Sequence, residues 1–131
     1  MNETEVAQEL VKAWPGCWRV GMRAYEIPEN CYIRLTWRDD TYWHCLLGDH
    51  STWLRIKHAS MVDGDKVPDI SDGATKGALL EGLRELTNRP FLSTRYDPLN
   101  GWAVADFSER ITGWHESEGI ALAKGIIEVR S

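Results

Sequence analysis

The sequence predicts an α+β fold, an antiparallel sheet with helices packed on one face, in the order α-β-β-β-β-α-β-β-α. Three observations carry this. Seven tryptophans occur in 131 residues, and five of them (Trp14, Trp18, Trp37, Trp43, Trp53) fall before residue 54. Between residues 18 and 57, apolar and polar residues alternate in four short runs, the period of a strand with one buried face. At both ends and near the middle, apolar residues recur instead at helical spacing.

Residues 2–14 read as a helix. Asn2 can cap it, Glu5 completes a capping box, and Val6, Leu10, Ala13 and Trp14 form one stripe before Pro15-Gly16 stops it. Four strands follow. Trp18–Tyr25 turns Trp18, Val20, Met22 and Ala24 inward and Arg19 and Arg23 outward. Cys31–Trp37 turns Cys31, Ile33, Leu35 and Trp37 inward, opposite Tyr32, Arg34 and Thr36. Thr41–Leu47 places Trp43, Cys45 and Leu47 against Tyr42, His44 and Leu46. Thr52–Lys57 opposes Leu54 and Ile56 to Trp53, Arg55 and Lys57. The breaks, Ile27-Pro28-Glu29-Asn30, Arg38-Asp39-Asp40 and Gly48-Asp49-His50-Ser51, are short and turn-forming, so the strands connect as a meander.

Residues 58–73 carry Gly64, Pro68, Gly73 and four aspartates and read as a linker, the one place where a single domain spanning 1–131 would divide. Asp72 or Ser71 then caps a helix to about Thr87, with Leu79, Leu83 and Leu86 on one face. Phe91–Tyr96 and Trp102–Phe107 form a hairpin across a turn ending in Asn100-Gly101. The pattern leaves open whether these strands extend the first sheet. Ser117 caps a last helix to about Val129, with Ile120, Ala123 and Ile127 inward. Gly119 and Gly125 weaken it by about 1 kcal/mol each relative to alanine, and each permits close packing against the sheet.

Composition sets the function classes. The chain is 43% hydrophobic and 27% charged, ordinary for one globular domain. Its formal net charge of −5 argues against a general nucleic-acid or anionic-membrane binder. There is no apolar run long enough to span a bilayer and no signal peptide, so a cytoplasmic location is expected, with no membrane partner. Cys17, Cys31 and Cys45 are odd in number and on or near apolar strand positions, which predicts reduced, mostly buried thiols.

Chemistry-bearing patterns are few. His44, Cys45, His50 and His58 are the only cluster of metal-ligand types, but adjacent His44 and Cys45 fall on opposite strand faces and no Cys-x-x-Cys or His-x-x-x-His spacing exists. No metal or other cofactor is expected. Asp39-Asp40 and Asp63-Gly64-Asp65 lie in expected turns. They define the alternative function, a metal-dependent enzyme acting on nucleotides or nucleic acid. No phosphate-cradling glycine loop or nucleophile elbow accompanies them.

The polar sheet face is more suggestive. Arg19, Arg23, Arg34, Arg55 and Lys57 project from it with Tyr32, Tyr42 and Trp53. Arginine and aromatic residues are enriched in binding hot spots and suit anions. These eight are the candidate binding residues. The expected partner of such a face is another protein or a small anionic ligand, and a homo-oligomer is compatible with the same face. Arg34→Ala and Arg55→Ala are then expected to weaken binding with little change in melting temperature.

The C-terminal half resembles a family of small bacteriophage proteins described as a phage ABA-sandwich domain. The carrying residues are Asp72-Gly73-Ala74-Thr75-Lys76-Gly77-Ala78-Leu79-Leu80, then Gly101-Trp102-Ala103-Val104, then Glu116-Ser117-Glu118-Gly119-Ile120-Ala121-Leu122-Ala123. The resemblance implies phage or prophage origin and brings no catalytic residues. With that origin the expected function is an accessory protein acting by binding in the host cytoplasm, its partner a host protein, for instance a defence component, or a small anionic ligand. Residues 15–58 lie outside it.

Overall fold

A computed structural model describes residues 2–48 and 52–131. Helix α1 (Glu3–Ala13) is followed by β1 (Arg23–Glu26), β2 (Cys31–Arg38), β3 (Tyr42–Leu47) and β4 (Trp53–Lys57). A 3-10 turn (His58–Val62), β5 (Lys66–Pro68), α2 (Gly73–Thr87), β6 (Ser93–Asp97), β7 (Gly101–Ala105) and α3 (Glu118–Arg130) complete the chain. The fold is α+β in the predicted order, with one added strand. All pairings are antiparallel: a five-stranded sheet in the order β4-β3-β2-β1-β5, and β6-β7 as a separate two-stranded sheet.

Local chemistry sets the helix ends. The Asn2 side chain accepts from Glu5 N at 2.8 Å while Asn2 N donates back to the Glu5 carboxylate at 3.4 Å, the predicted capping box. Asp72 and Ser117 cap α2 and α3 through Thr75 N and Ile120 N. Asn88 ends α2 in the left-handed region (φ 55°), which asparagine tolerates better than most residues.

One face of the large sheet supplies Ala24, Ile33, Leu35, Trp43, Cys45 and Ile56 to the core, shared with Val6, Ala7, Leu10 and Val11 of α1. Helix α3 packs against α1, α2 and β7. Gly119 to Ala123, Gly125 and Ile126 are all buried, so α3 is covered nearly all round and its apolar pattern is broader than one stripe. Its glycines do the packing expected of them, but against other elements. An added Cβ at Gly119 falls 1.9 Å from the Ile70 carbonyl oxygen, just past β5, and at Gly125 3.0 Å from Leu83 of α2.

Three sequence expectations change. Residues 58–73 are not a free linker: Met61, Val67 and Ile70 are in the core, Trp18 Nε1 donates to Met61 O at 2.9 Å, and β5 pairs with β1. Three residues ending in Pro68 are too few to display a period. The first strand begins at Arg23 because Gly21 takes φ 94°, which interrupts the run and leaves Val20 exposed. Beyond Leu35 the β2–β3 register shifts, so that Leu35 opposes Cys45 but Trp37 opposes His44. This bulge turns Trp37 to the outer face, where sequence alternation alone had placed it inward.

All three cysteines are free; Cys17 and Cys45 are buried and Cys31 is half-buried. Burial pushes the thiols of Cys17 and Cys45 up to about 12 and about 11. A disulfide-exchange reagent at pH 8 is expected to titrate one thiol, Cys31, in the native protein and the other two only after denaturant. Two or more fast thiols would show that the core opens around β3 or the Cys17 turn.

Candidate functional site

The register of the large sheet places the outward side chains in rows. Arg23, Arg34, Leu46 and Trp53 run across β1 to β4; Trp37, His44 and Arg55 form the next row; Tyr42 and Lys57 pair beyond it; Tyr25 opposes Tyr32 at the other end. Seven of the eight predicted binding residues therefore share this face. Arg19 does not. It lies before β1, where its guanidinium meets the Glu85 carboxylate of α2 and sits 5.9 Å over the Trp14 ring.

The face divides electrostatically. At the β1–β2 end, acidic side chains of the β5–α2 connection and the α2 cap meet the arginines. Arg23 reaches Asp69 through Nε and Nη2 at 2.7 and 2.6 Å and lies 4.3 Å over the Tyr32 ring. Arg34 donates twice to Asp72, at 2.7 and 2.9 Å, and once to Gly21 O at 2.9 Å. The Arg34 guanidinium holds the Asp72 carboxyl down to about 2. Such a two-pronged pair is geometrically specific and spends the arginine's donors within the fold. Arg34→Ala is therefore a stability variant, contrary to the sequence expectation.

The β3–β4 end differs in its partners. Arg55 stacks 4.8 Å over Tyr42, and neither Arg55 nor Lys57 has a carboxylate partner among the described residues. Trp37 lies parallel to His44 at 3.6 Å. His44 Nε2 contacts Asp39 Oδ2 at 2.8 Å, while Asp39 Oδ1 accepts from Thr41 N and Tyr42 N at 2.8 and 2.7 Å. Those bonds hold the Asp39 carboxyl well below the usual carboxylate range. The turn thus fixes the histidine, and the histidine fixes the tryptophan. Trp37 is 50% exposed and Trp53 61%. Sequence reading placed His44 on this side of β3 without counting it among the binding residues, and it missed Trp37 because of the bulge.

The carboxylates of the enzyme alternative do other work. Asp39 is a turn and histidine tether, Asp40 is exposed in the same turn, and Asp65 meets Lys66 at 3.3 Å. Among the described residues no group of three or more His, Cys, Asp or Glu side chains is placed to hold a metal ion. His58 stacks on Trp43 with Nδ1 3.2 Å from Arg38, Cys45 points into the core, and His50 lies outside the described residues.

Two clefts adjoin the face. One, of about 290 Å³, is lined by Tyr25, Tyr32, Pro68 and Asp69 with Glu3 and Thr4 of α1. A shallower groove of about 500 Å³ runs between Trp18–Gly21, Arg38, Trp43 and the Ala74–Glu81 side of α2. Neither includes Trp37, Trp53, Arg55 or Lys57, which stand on open sheet. Among the described residues no helix is long and apolar enough to cross a membrane. No protein-family model, curated protein or solved structure matches the chain.

Proposed function

We propose that this chain is a non-catalytic accessory protein that acts by binding, and that the β3–β4 half of the outer sheet face docks an acidic surface of a host protein. The observation that carries this is the exposure of Trp37 and Trp53 beside two cations, Arg55 and Lys57, that have no carboxylate partner among the described residues, on an open sheet face. Tryptophan and arginine at the centre of a surface are the residue types that dominate binding energy. Trp37 and Arg55 are held before binding, the first by the His44 stack and the second by the Tyr42 ring, which lowers the ordering cost. A face outside the clefts suits a macromolecule; a small anion is better served by a concave site. The phage-type origin rests on the resemblance of residues 72–80, 101–104 and 116–123 alone.

The test uses the parent chain and Trp53→Ala and Arg55→Ala as immobilised baits in bacterial lysate, followed by affinity measurement on the purified partner. Each substitution is expected to weaken binding roughly 30-fold, equivalent to about 2 kcal/mol. Affinity is expected to fall with added salt. Both residues are exposed, so melting should stay within about 2 °C of the parent. A partner that binds both variants as tightly as the parent would remove this face from consideration.

A further inference from the structure

We propose that the free edge of β6 pairs with the β6 edge of a second copy of this chain, joining two β6–β7 hairpins into one four-stranded antiparallel sheet. The hairpin is a sheet of two strands, a size that is marginal alone. Strand β7 is already covered on its far side. Trp102 N donates to His115 O at 2.6 Å and His115 N to Trp102 O at 2.7 Å; Ile111 N donates to Val104 O at 2.9 Å. Trp102 and Val104 therefore direct their amides away from β6. Their partners in the ladder, Tyr96 and Thr94, must direct theirs away from β7, because paired residues in an antiparallel ladder share that alternation. The open edge of β6 thus presents the N–H and C=O groups of Thr94 and Tyr96.

This edge lacks the usual protection. At the borders of the large sheet, β5 is three residues long and ends in Pro68, while β4 carries the exposed cations Arg55 and Lys57. Strand β6 has five residues, an unbroken register and no lysine, and Pro98 lies just past its end, in the turn. Around the hairpin stand the three most exposed large apolar side chains among the described residues, Phe91 at 69%, Phe107 at 82% and Leu99 at 94%, with Tyr96 at 61%. The Phe91 and Phe107 rings pack together at 5.9 Å, so they form one patch.

Charge and apolar placement select a second copy and its register. A two-fold axis normal to the sheet keeps every side chain on its own face, so only residues of equal parity can oppose each other. Opposing Arg95 to Arg95 sets like charges together, which is destabilising. Opposing Tyr96 to Tyr96 sets each Arg95 against Asp97 of the other copy, two complementary pairs from one contact, and sets Thr94 against Pro98, which can accept through its carbonyl but has no N–H to donate. The same register carries the hairpin tip, with Leu99, to the Ser93 end of the other strand, where Phe91 and Phe107 sit. Arg95 is exposed and spends one donor on Asp106 O at 2.9 Å, leaving the rest of its guanidinium open, and the Asp97 carboxylate, which accepts from Leu99 N at 2.8 Å and from the Asn100 side chain at 3.2 Å, retains lone pairs for a further donor. This contact belongs to the small sheet and is independent of the proposed host-protein face.

Sedimentation equilibrium over a micromolar concentration series is expected to show a monomer–dimer equilibrium. In a Cys31→Ser background, Tyr96→Cys should give a disulfide-linked dimer on mild oxidation, because opposed residues in a hydrogen-bonded pair sit about 5.5 Å apart, within disulfide range. Ser93→Cys should not. Arg95→Asp should weaken the dimer roughly tenfold at unchanged melting temperature, and Arg95→Asp with Asp97→Arg should restore it. A chain that is monomeric throughout the series overturns the proposal. So does a dimer that Tyr96→Cys does not trap and Arg95→Asp does not weaken.

Discussion

Gly119→Ala is expected to destabilise the fold by about 3–4 kcal/mol and to lower the melting temperature by roughly 10–20 °C. The cause is steric. A Cβ at residue 119 would meet the Ile70 carbonyl oxygen at 1.9 Å and its carbon at 2.8 Å, both backbone atoms that cannot rotate aside. Either α3 slides outward or the β5–α2 connection moves. Sliding disturbs the buried contacts of Ile120, Leu122 and Ile126, and α3 packs on α1, α2 and β7 at once. Moving Ile70 disturbs a residue that is itself in the core and lies one residue beyond Asp69, the partner of Arg23. The matching control is Gly77→Ala, in an exposed stretch of α2 with no atom within 4 Å of the new Cβ. There the helix propensity gain should raise stability by about 0.5–1 kcal/mol. Thermal melting of the two variants separates them. A fall of less than about 3 °C for Gly119→Ala would mean that the α3 seat is compliant.

These two glycines also mark what the sequence displays and what it withholds. Both interrupt a helical pattern in the same way, and only the three-dimensional neighbour distinguishes them. Strand alternation correctly placed Arg23, Tyr32, Arg34, Tyr42, Trp53, Arg55 and Lys57 on one face, because period two needs no knowledge of partners. It failed at Trp37, where an extra residue in β2 reverses the phase and leaves no local mark. It failed at Arg19, where Gly21 adopts a positive φ that ends the alternation. The division of the face into a neutralised and a charged half was also out of reach. Asp69 and Asp72 read as members of an acidic linker, and their pairing with Arg23 and Arg34 exists only because β5 folds back beside β1.

Asp72→Asn is expected to cost about 2–3 kcal/mol at pH 7, little near pH 2 and nothing below it. The Asp72 carboxylate accepts two hydrogen bonds from Arg34, and bonds from Thr75 N and Thr75 Oγ1, both at 3.0 Å. Its side chain is only 11% exposed, so solvent screens the pair weakly. Arg34 contributes most to the depression of its pKa from 3.8 to about 2, with the Thr75 bonds adding to it against the opposing effect of burial. A depressed carboxylate stabilises the native state above its unfolded pKa, and that contribution disappears as pH falls through the folded value. Here the window runs from about pH 4 down to about pH 2, and nearly two units correspond to about 2–3 kcal/mol. Asparagine keeps the helix cap, one of the residues best suited to that position, and removes only the charge. Other carboxylates titrate in the same range, so the measurement is the difference between parent and variant in denaturant unfolding from pH 7 to pH 2. The two stability curves should converge as pH falls. Curves that stay parallel would show that the ion pair adds nothing. That result would return Arg34 to the set of residues available for a partner, since a guanidinium held by about 2–3 kcal/mol of internal pairing is one that a docking surface would first have to displace.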